Sequence, residues 1–129
     1  MELAISVGTT NTFEKVTEPR ESAAAVASGA LDVFSTPSLV ALFEQTALLA
    51  VDPHLPDAFG TVGTEVSVKH LKATPIGAKV RCTVEVVAVE GKRVSFIGEM
   101  WDETGRIGEG KHTRYVVNTN EFIERMKRS

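Results

Sequence analysis

The 129-residue sequence lacks several features that would assign a function class at once. It holds a single cysteine, Cys82, which excludes an internal disulfide and any cysteine-based zinc site. It has no excess of basic charge: 14 Lys and Arg against 17 Asp and Glu leave a formal net charge of −3, so no positive field exists to hold a nucleic-acid backbone. No uninterrupted apolar run approaches the ~20 residues of a membrane span. The opening "MELAISVGTT" carries neither a basic leader nor a long apolar stretch, and is not expected to be a signal peptide. Repeats and low-complexity segments are missing as well. These absences leave a cytoplasmic globular protein, with one domain over 1–129 and a single sizeable core.

What is present is patterned apolar sequence. Residues 35 to 51, "STPSLVALFEQTALLAV", predict one apolar helix that starts with Thr36 as N-cap and Pro37 at the first helical position. Pro53 and Pro56 stop it. No face of this helix is convincingly wet, so the rest of its domain is expected to enclose it. Yet Glu44 sits in its middle, among Val40, Ala41, Ala47 and Leu48. An ionised carboxylate buried without a partner costs several kcal/mol, so something must meet Glu44.

Before the helix, "NTFEKVT" (11 to 17) alternates as a first strand, and "EPRESAAAVASGALD" reads as a lid-like loop or a short helix. After Gly60 the period changes. "TVGTEVSVKHLK" alternates, placing Thr64, Val66, Val68 and His70 on one side. "ATPIGA" is a turn or loop, and three further long strands follow, joined tightly at Gly91 and at "DETGR". Cys82 shares a strand face with Val80, Val84 and Val86, as a buried structural thiol should. The tail "NTNEFIERMKRS" predicts a short helix capped by Asn118. A strand, a buried helix and four long antiparallel strands make an α+β chain, with the sheet wrapped around a central helix as in the hotdog fold. Such a sheet has a poorly covered edge, which predicts a homodimer.

His70 lies on the apolar face of its strand and is the expected partner for Glu44; the alternative is an ordinary core histidine. A carboxylate beside an imidazole is a usable acid/base or nucleophile/base pair. Thr36 is explained by capping alone, but its hydroxyl also stands at a positive helix end. Eight residues, about 12 Å of helix, separate Thr36 from Glu44. A site using both therefore needs a bridging substrate, a folded-back cap or a second subunit. His54 and His112 are the weaker histidines, His112 having no acidic neighbour in sequence.

The segments "VFSTPSLVALFEQTALLAV", "GTVGTEVSVKHLKATPIGAKVRCTVEVVAVEGKRVSF" and "GEGKHTRYVVNTNEF" together resemble the hotdog thioesterases of the fluoroacetyl-CoA thioesterase family, over roughly residues 30 to 123. The resemblance implies hydrolysis of an acyl-CoA substrate, with no metal and no cofactor beyond coenzyme A as part of that substrate. It also implies catalytic roles for Thr36, Glu44 and His70 and substrate contacts at Gly63 and Arg114. A non-catalytic acyl-CoA-binding or ligand-sensing domain is the alternative, and a hydratase a third. One departure stands out: the fluoroacetyl-specific member of the family carries phenylalanines in its lid where "AAAVASGALDV" supplies alanines, with only Phe34 close to Thr36.

Overall fold

The computed structural model describes residues 3–129; Met1 and Glu2, part of the stretch read as lacking a leader, lie outside the described residues. Chain order is β1 (Thr10–Val16), α1 (Thr36–Val51), β2 (Phe59–His70), β3 (Lys79–Glu90), β4 (Arg93–Asp102), β5 (Gly105–Asn118) and α2 (Thr119–Arg128). The strands form one antiparallel sheet in the order β1-β3-β4-β5-β2. β3, β4 and β5 are a meander. The β3–β4 hairpin turns at Gly91, whose φ of 62° lies in the left-handed region that such tight turns demand. β2 instead crosses to the far side of β5 and forms an edge, with β1 at the other.

The sheet curls over α1. Val80, Cys82, Val84 and Val86 of β3, with Val94, Phe96 and Met100 of β4, present a dry surface to the helix. Burial pushes the Cys82 thiol up to about 11, so it is an inert core group. Phe43 seats the helix: a Cβ at Gly98 or Gly110 would come within 2.5 or 3.0 Å of its ring, so only glycines leave room. Residues 71–78 bring the chain from β2 to β3. Asp102 pins this crossover by accepting hydrogen bonds from Lys72 Nζ (3.0 Å) and Thr74 Oγ1 (2.9 Å). The segment before α1 contains a 3-10 turn at Pro19–Glu21 and folds back through bridges Ser22 to Phe34 and Val33 to Pro75. No helix among the described residues is long and apolar enough to cross a membrane.

Three expectations need correction. The N-cap of α1 is Ser35, whose side chain accepts from the Ser38 N–H, so Thr36 and Pro37 occupy the first two helical positions. The helix is not enclosed by its own chain either. It buries Leu39, Leu42, Phe43, Thr46, Ala47, Ala50 and Val51, while Ala41 and Leu49 are exposed and Val40, Glu44 and Leu48 are only half-buried. A single five-stranded sheet covers one side of a helix, and the apolar remainder waits for another surface. Finally, the alternation along β2 breaks at a bulge between Gly63 and Glu65. One extra residue shifts the phase, so Gly63, not Thr64, shares the helix-facing side with Val66, Val68 and His70.

Candidate active site

Two polar clusters line the helix-facing side of β2, one at each end. The first stands at the start of α1. Because Ser35 does the capping, the Thr36 hydroxyl is free, and it lies 2.8 Å from His70 Nδ1. Burial holds the His70 imidazole below its ordinary value of 6.5, so it is neutral at pH 7 and available as a base. Its Nε2 is buried and has no hydrogen-bond partner among the described residues. Whichever ring nitrogen carries the hydrogen, that atom faces inward unsatisfied, which costs about 1–3 kcal/mol until something meets it. Beside this pair a cavity of about 360 Å³ is walled by Ala23, Val33, Phe34 and Leu71.

The second cluster surrounds Glu44. Its Oε2 lies 2.8 Å from where a Cβ on Gly63 would stand, with His112 Cε1 at 3.2 Å and Arg114 Nη1 at 3.3 Å from the same point. The bulge therefore brings a residue without a side chain under the carboxylate. Arg114 is 7% exposed and His112 2%. Arg114 Nε donates to Thr61 Oγ1 (2.8 Å) and Nη2 to the Thr61 carbonyl (3.1 Å), while Thr61 Oγ1 donates to Asp52 Oδ1 (2.8 Å). Arg114 is thus no surface ion-pair residue; it is a buried cation aimed beside Glu44. Burial lowers it somewhat from its ordinary value, against the pull of Asp52 and Glu44.

The expected direct pairing of Glu44 with His70 does not occur within one chain. Gly63 and His70 are seven positions apart on β2, roughly 20 Å along the strand, and each marks its own cluster. The five residues singled out from sequence thus divide: Thr36 with His70, and Glu44 with Gly63 and Arg114. Sequence reasoning missed Thr61 and Asp52, and ranked His112 among the weaker histidines. Strand alternation placing His112 in phase with Arg114 and Val116 was the available signal. A larger groove, about 700 Å³, lies on the sheet face turned away from α1, lined by Arg81, Glu85, Trp101, Arg106 and Lys111. Both acid–base clusters lie on the opposite face, so volume alone points away from the chemistry.

A long antiparallel sheet curled over one helix, with imidazole, hydroxyl and carboxylate along the helix-facing side, defines a hotdog-fold protein of the thioesterase class. Residues 16–120 match the family model described as FlK, fluoroacetyl-CoA-specific thioesterase, and the chain belongs to that family. The fluoroacetyl-CoA thioesterase of Streptantibioticus cattleyicolor is 35% identical over 96 residues, covering 74% of this chain and 69% of that protein. The solved structure of fluoroacetyl-CoA thioesterase FlK superimposes with a TM-score of 0.92 at 30% identity, over 98% of both chains. A hot-dog-like protein from Thermanaerovibrio acidaminovorans gives 0.87 at 27% identity, over 96% of this chain and 92% of its own.

Proposed function

We propose that the protein is a cytoplasmic homodimer in which each active site joins Thr36 and His70 of one subunit to Glu44, Gly63 and Arg114 of the other. The chain is an acyl-CoA thioester hydrolase acting on a small acyl group. One observation carries the two-subunit reading: the catalytic side chains of a single chain fall into two clusters, about 12 Å apart along α1 and roughly 20 Å along β2, too far for one reacting carbon to reach both. Both clusters adjoin surface that the chain leaves uncovered. β2 is a free edge, exposed from Gly63 to Ser67, and the Glu44 side of α1 is apolar and part-open. Unpaired edges of this kind invite pairing. If two β2 strands pair antiparallel about a two-fold axis at Ser67, with Thr64 the extra residue of the bulge, Gly63 falls opposite His70 of the partner subunit. That register brings the partner's Glu44 to the end of β2 that carries His70 and Thr36.

In that site Glu44 either takes a proton from the water that attacks the thioester carbonyl, or attacks it directly to give a mixed anhydride that water then cleaves; in both the C–S bond breaks and CoA leaves. His70 carries the proton to the departing CoA sulfur. Thr36 donates to the reacting oxygen, and Gly63 lets the thioester lie close to the backbone. Arg114 orients the acyl or pantetheine group by hydrogen bonding.

Complementation tests this arrangement. Glu44→Gln and His70→Ala homodimers are each expected to be nearly inactive. Mixed and refolded together, half the dimers pair unlike subunits, and each such dimer regains one intact site, so activity should recover to about a quarter of wild type. A mixture that exchanges subunits yet stays inactive would overturn the shared site.

A further inference from the structure

His112 is unused by the mechanism above, yet it is among the most completely specified polar side chains in the molecule. It is 2% exposed, and its ring lies between Phe43 of α1 (5.5 Å between centroids, tilted 58°) and Phe96 of β4 (5.8 Å, 25°). Nδ1 is 2.7 Å from the Glu65 carbonyl oxygen. A carbonyl only accepts, so Nδ1 carries the hydrogen. Nε2 is 3.1 Å from Arg114 Nη1, which only donates, so Nε2 presents its lone pair. The two contacts demand the same neutral tautomer independently.

We propose that His112 is a positioning residue that locks the Arg114 guanidinium beside Glu44 and anchors the β2 bulge carrying Gly63, and so sets catalytic geometry without touching substrate. This rests on the active site assigned above. Donation runs outward from Arg114 along two arms: Nη1–H donates to His112 Nε2 and His112 Nδ1–H to the Glu65 carbonyl, while Nε–H donates to Thr61 Oγ1 and Thr61 Oγ1–H to Asp52. With Nε and Nη2 held by Thr61 and Nη1 by His112, the guanidinium is fixed from both sides. Its Nη1 edge then stands 3.3 Å from the Gly63 Cβ direction, where Glu44 also points. Glu65 is the first paired residue after the bulge, so the same imidazole ties β5 to the distortion that turns Gly63 toward α1. The charged groups around the ring are Glu44 on α1 and Arg114 on its own strand, while β2 offers a backbone carbonyl and β4 an aromatic face. Burial keeps the imidazole below its ordinary value, with Arg114 adding to the lowering and the Glu65 bond and Glu44 opposing it.

Amide side chains separate the two contacts. Asn at 112 sets its amide near Nδ1, keeping the Glu65 bond and losing the acceptor for Arg114; Gln sets its amide near Nε2 and keeps that acceptor. His112→Gln should therefore hold kcat/KM within about 3-fold of wild type, while His112→Asn loses about 10- to 100-fold, the scale of a misplaced site. His112→Phe, which keeps both ring packings, should lose as much as Asn and takes its place if Asn fails to fold. In an Arg114→Lys background the Asn loss should largely vanish, because both changes release the same guanidinium. The assay is CoA release with a small acyl-CoA, read against melting temperature. A folded His112→Phe enzyme of normal turnover overturns the proposal, as does an Asn loss that multiplies fully with Arg114→Lys. If Glu44→Gln itself hydrolyses normally, the active-site reading fails first and takes this inference with it.

Discussion

Gly63→Ala is the sharpest probe of the Glu44 cluster, because the structure fixes what one methyl group would meet. The backbone at Gly63 is not in the left-handed region, so alanine carries no conformational strain there. The new Cβ would stand 2.8 Å from Glu44 Oε2. An ordinary carbon–oxygen contact is about 3.4 Å, so the carboxylate must withdraw by roughly 0.6 Å, with smaller adjustments at His112 and Arg114. The carboxylate ends a flexible side chain and can move cheaply. Replacing glycine in a strand also narrows the unfolded ensemble by about 0.5–1 kcal/mol, so the melting temperature should hold or rise slightly. Catalysis should not be so forgiving. An ångström of misplacement at a reacting group costs on the order of 100-fold, so kcat/KM is expected to fall about 10- to 100-fold. CoA release under initial-rate conditions, alongside thermal unfolding, measures both. The Glu44→Gln background completes the test, since a methyl that acts by displacing the carboxylate should cost little once the carboxylate is gone. Normal turnover in a folded Gly63→Ala protein, or an undiminished loss on top of Glu44→Gln, would refute the reasoning.

Other consequences are open to the same assays. Glu44→Gln should leave the fold intact or slightly stabilised, since it removes a half-buried charge at similar volume, while hydrolysis drops at least ~100-fold; full activity would remove Glu44 from the chemistry. Ser35→Ala and Thr36→Ala should separate capping from chemistry: the first lowers stability by about 1 kcal/mol with turnover per folded enzyme kept, the second lowers turnover with little change in melting temperature. With pH, His70 and His112 are held neutral by burial, so the unfolded chain binds more protons than the folded one just below 6.5. Stability should therefore fall as pH drops from 6.5 toward the lowered folded values, and a melting temperature that stays constant through that range would contradict the burial of the two rings. Side-by-side kcat/KM for fluoroacetyl-CoA and acetyl-CoA should differ little, given the alanines of residues 23–33, and a large fluorinated preference would contradict that reading of the lid.

Periodicity made the elements legible and left their partners open. The apolar run of α1, the alternation of β3 to β5 and the turn at Gly91 all carry local signatures that the structure bears out. So does the Asn118 cap of α2, whose side chain accepts from the Glu121 N–H. The order β1-β3-β4-β5-β2 is set by long-range pairing and has no such signature. The Thr36 assignment failed because Ser35 and Thr36 are both good caps, and a one-residue shift at a helix end is invisible without backbone geometry. That shift has functional weight, since it releases the hydroxyl that reaches His70. The bulge at Gly63 was hidden for a related reason: an inserted residue leaves alternation intact on either side and changes only its phase.

Glu44 shows where a single-chain reading stops. The inference that a carboxylate among Val40, Ala41 and Leu48 needs company was sound, and naming His70 as that company was reasonable on chemistry. The unstated premise was that the helix and the strand meet within one molecule. They do, but at the wrong ends: Thr36 comes to His70, and Glu44 comes to Gly63 and Arg114. The apolar face around Glu44 was read as interior because a helix apolar all round is normally enclosed. Enclosure by one sheet leaves the opposite side uncovered, and a sequence does not say whether the missing cover is its own chain or a second copy. A charge in the middle of such a face is therefore better treated as an interface group first, with its partner sought on a symmetry-related strand. Applied to this chain, that rule is the ground for proposing His70 of the partner subunit as the company of Glu44.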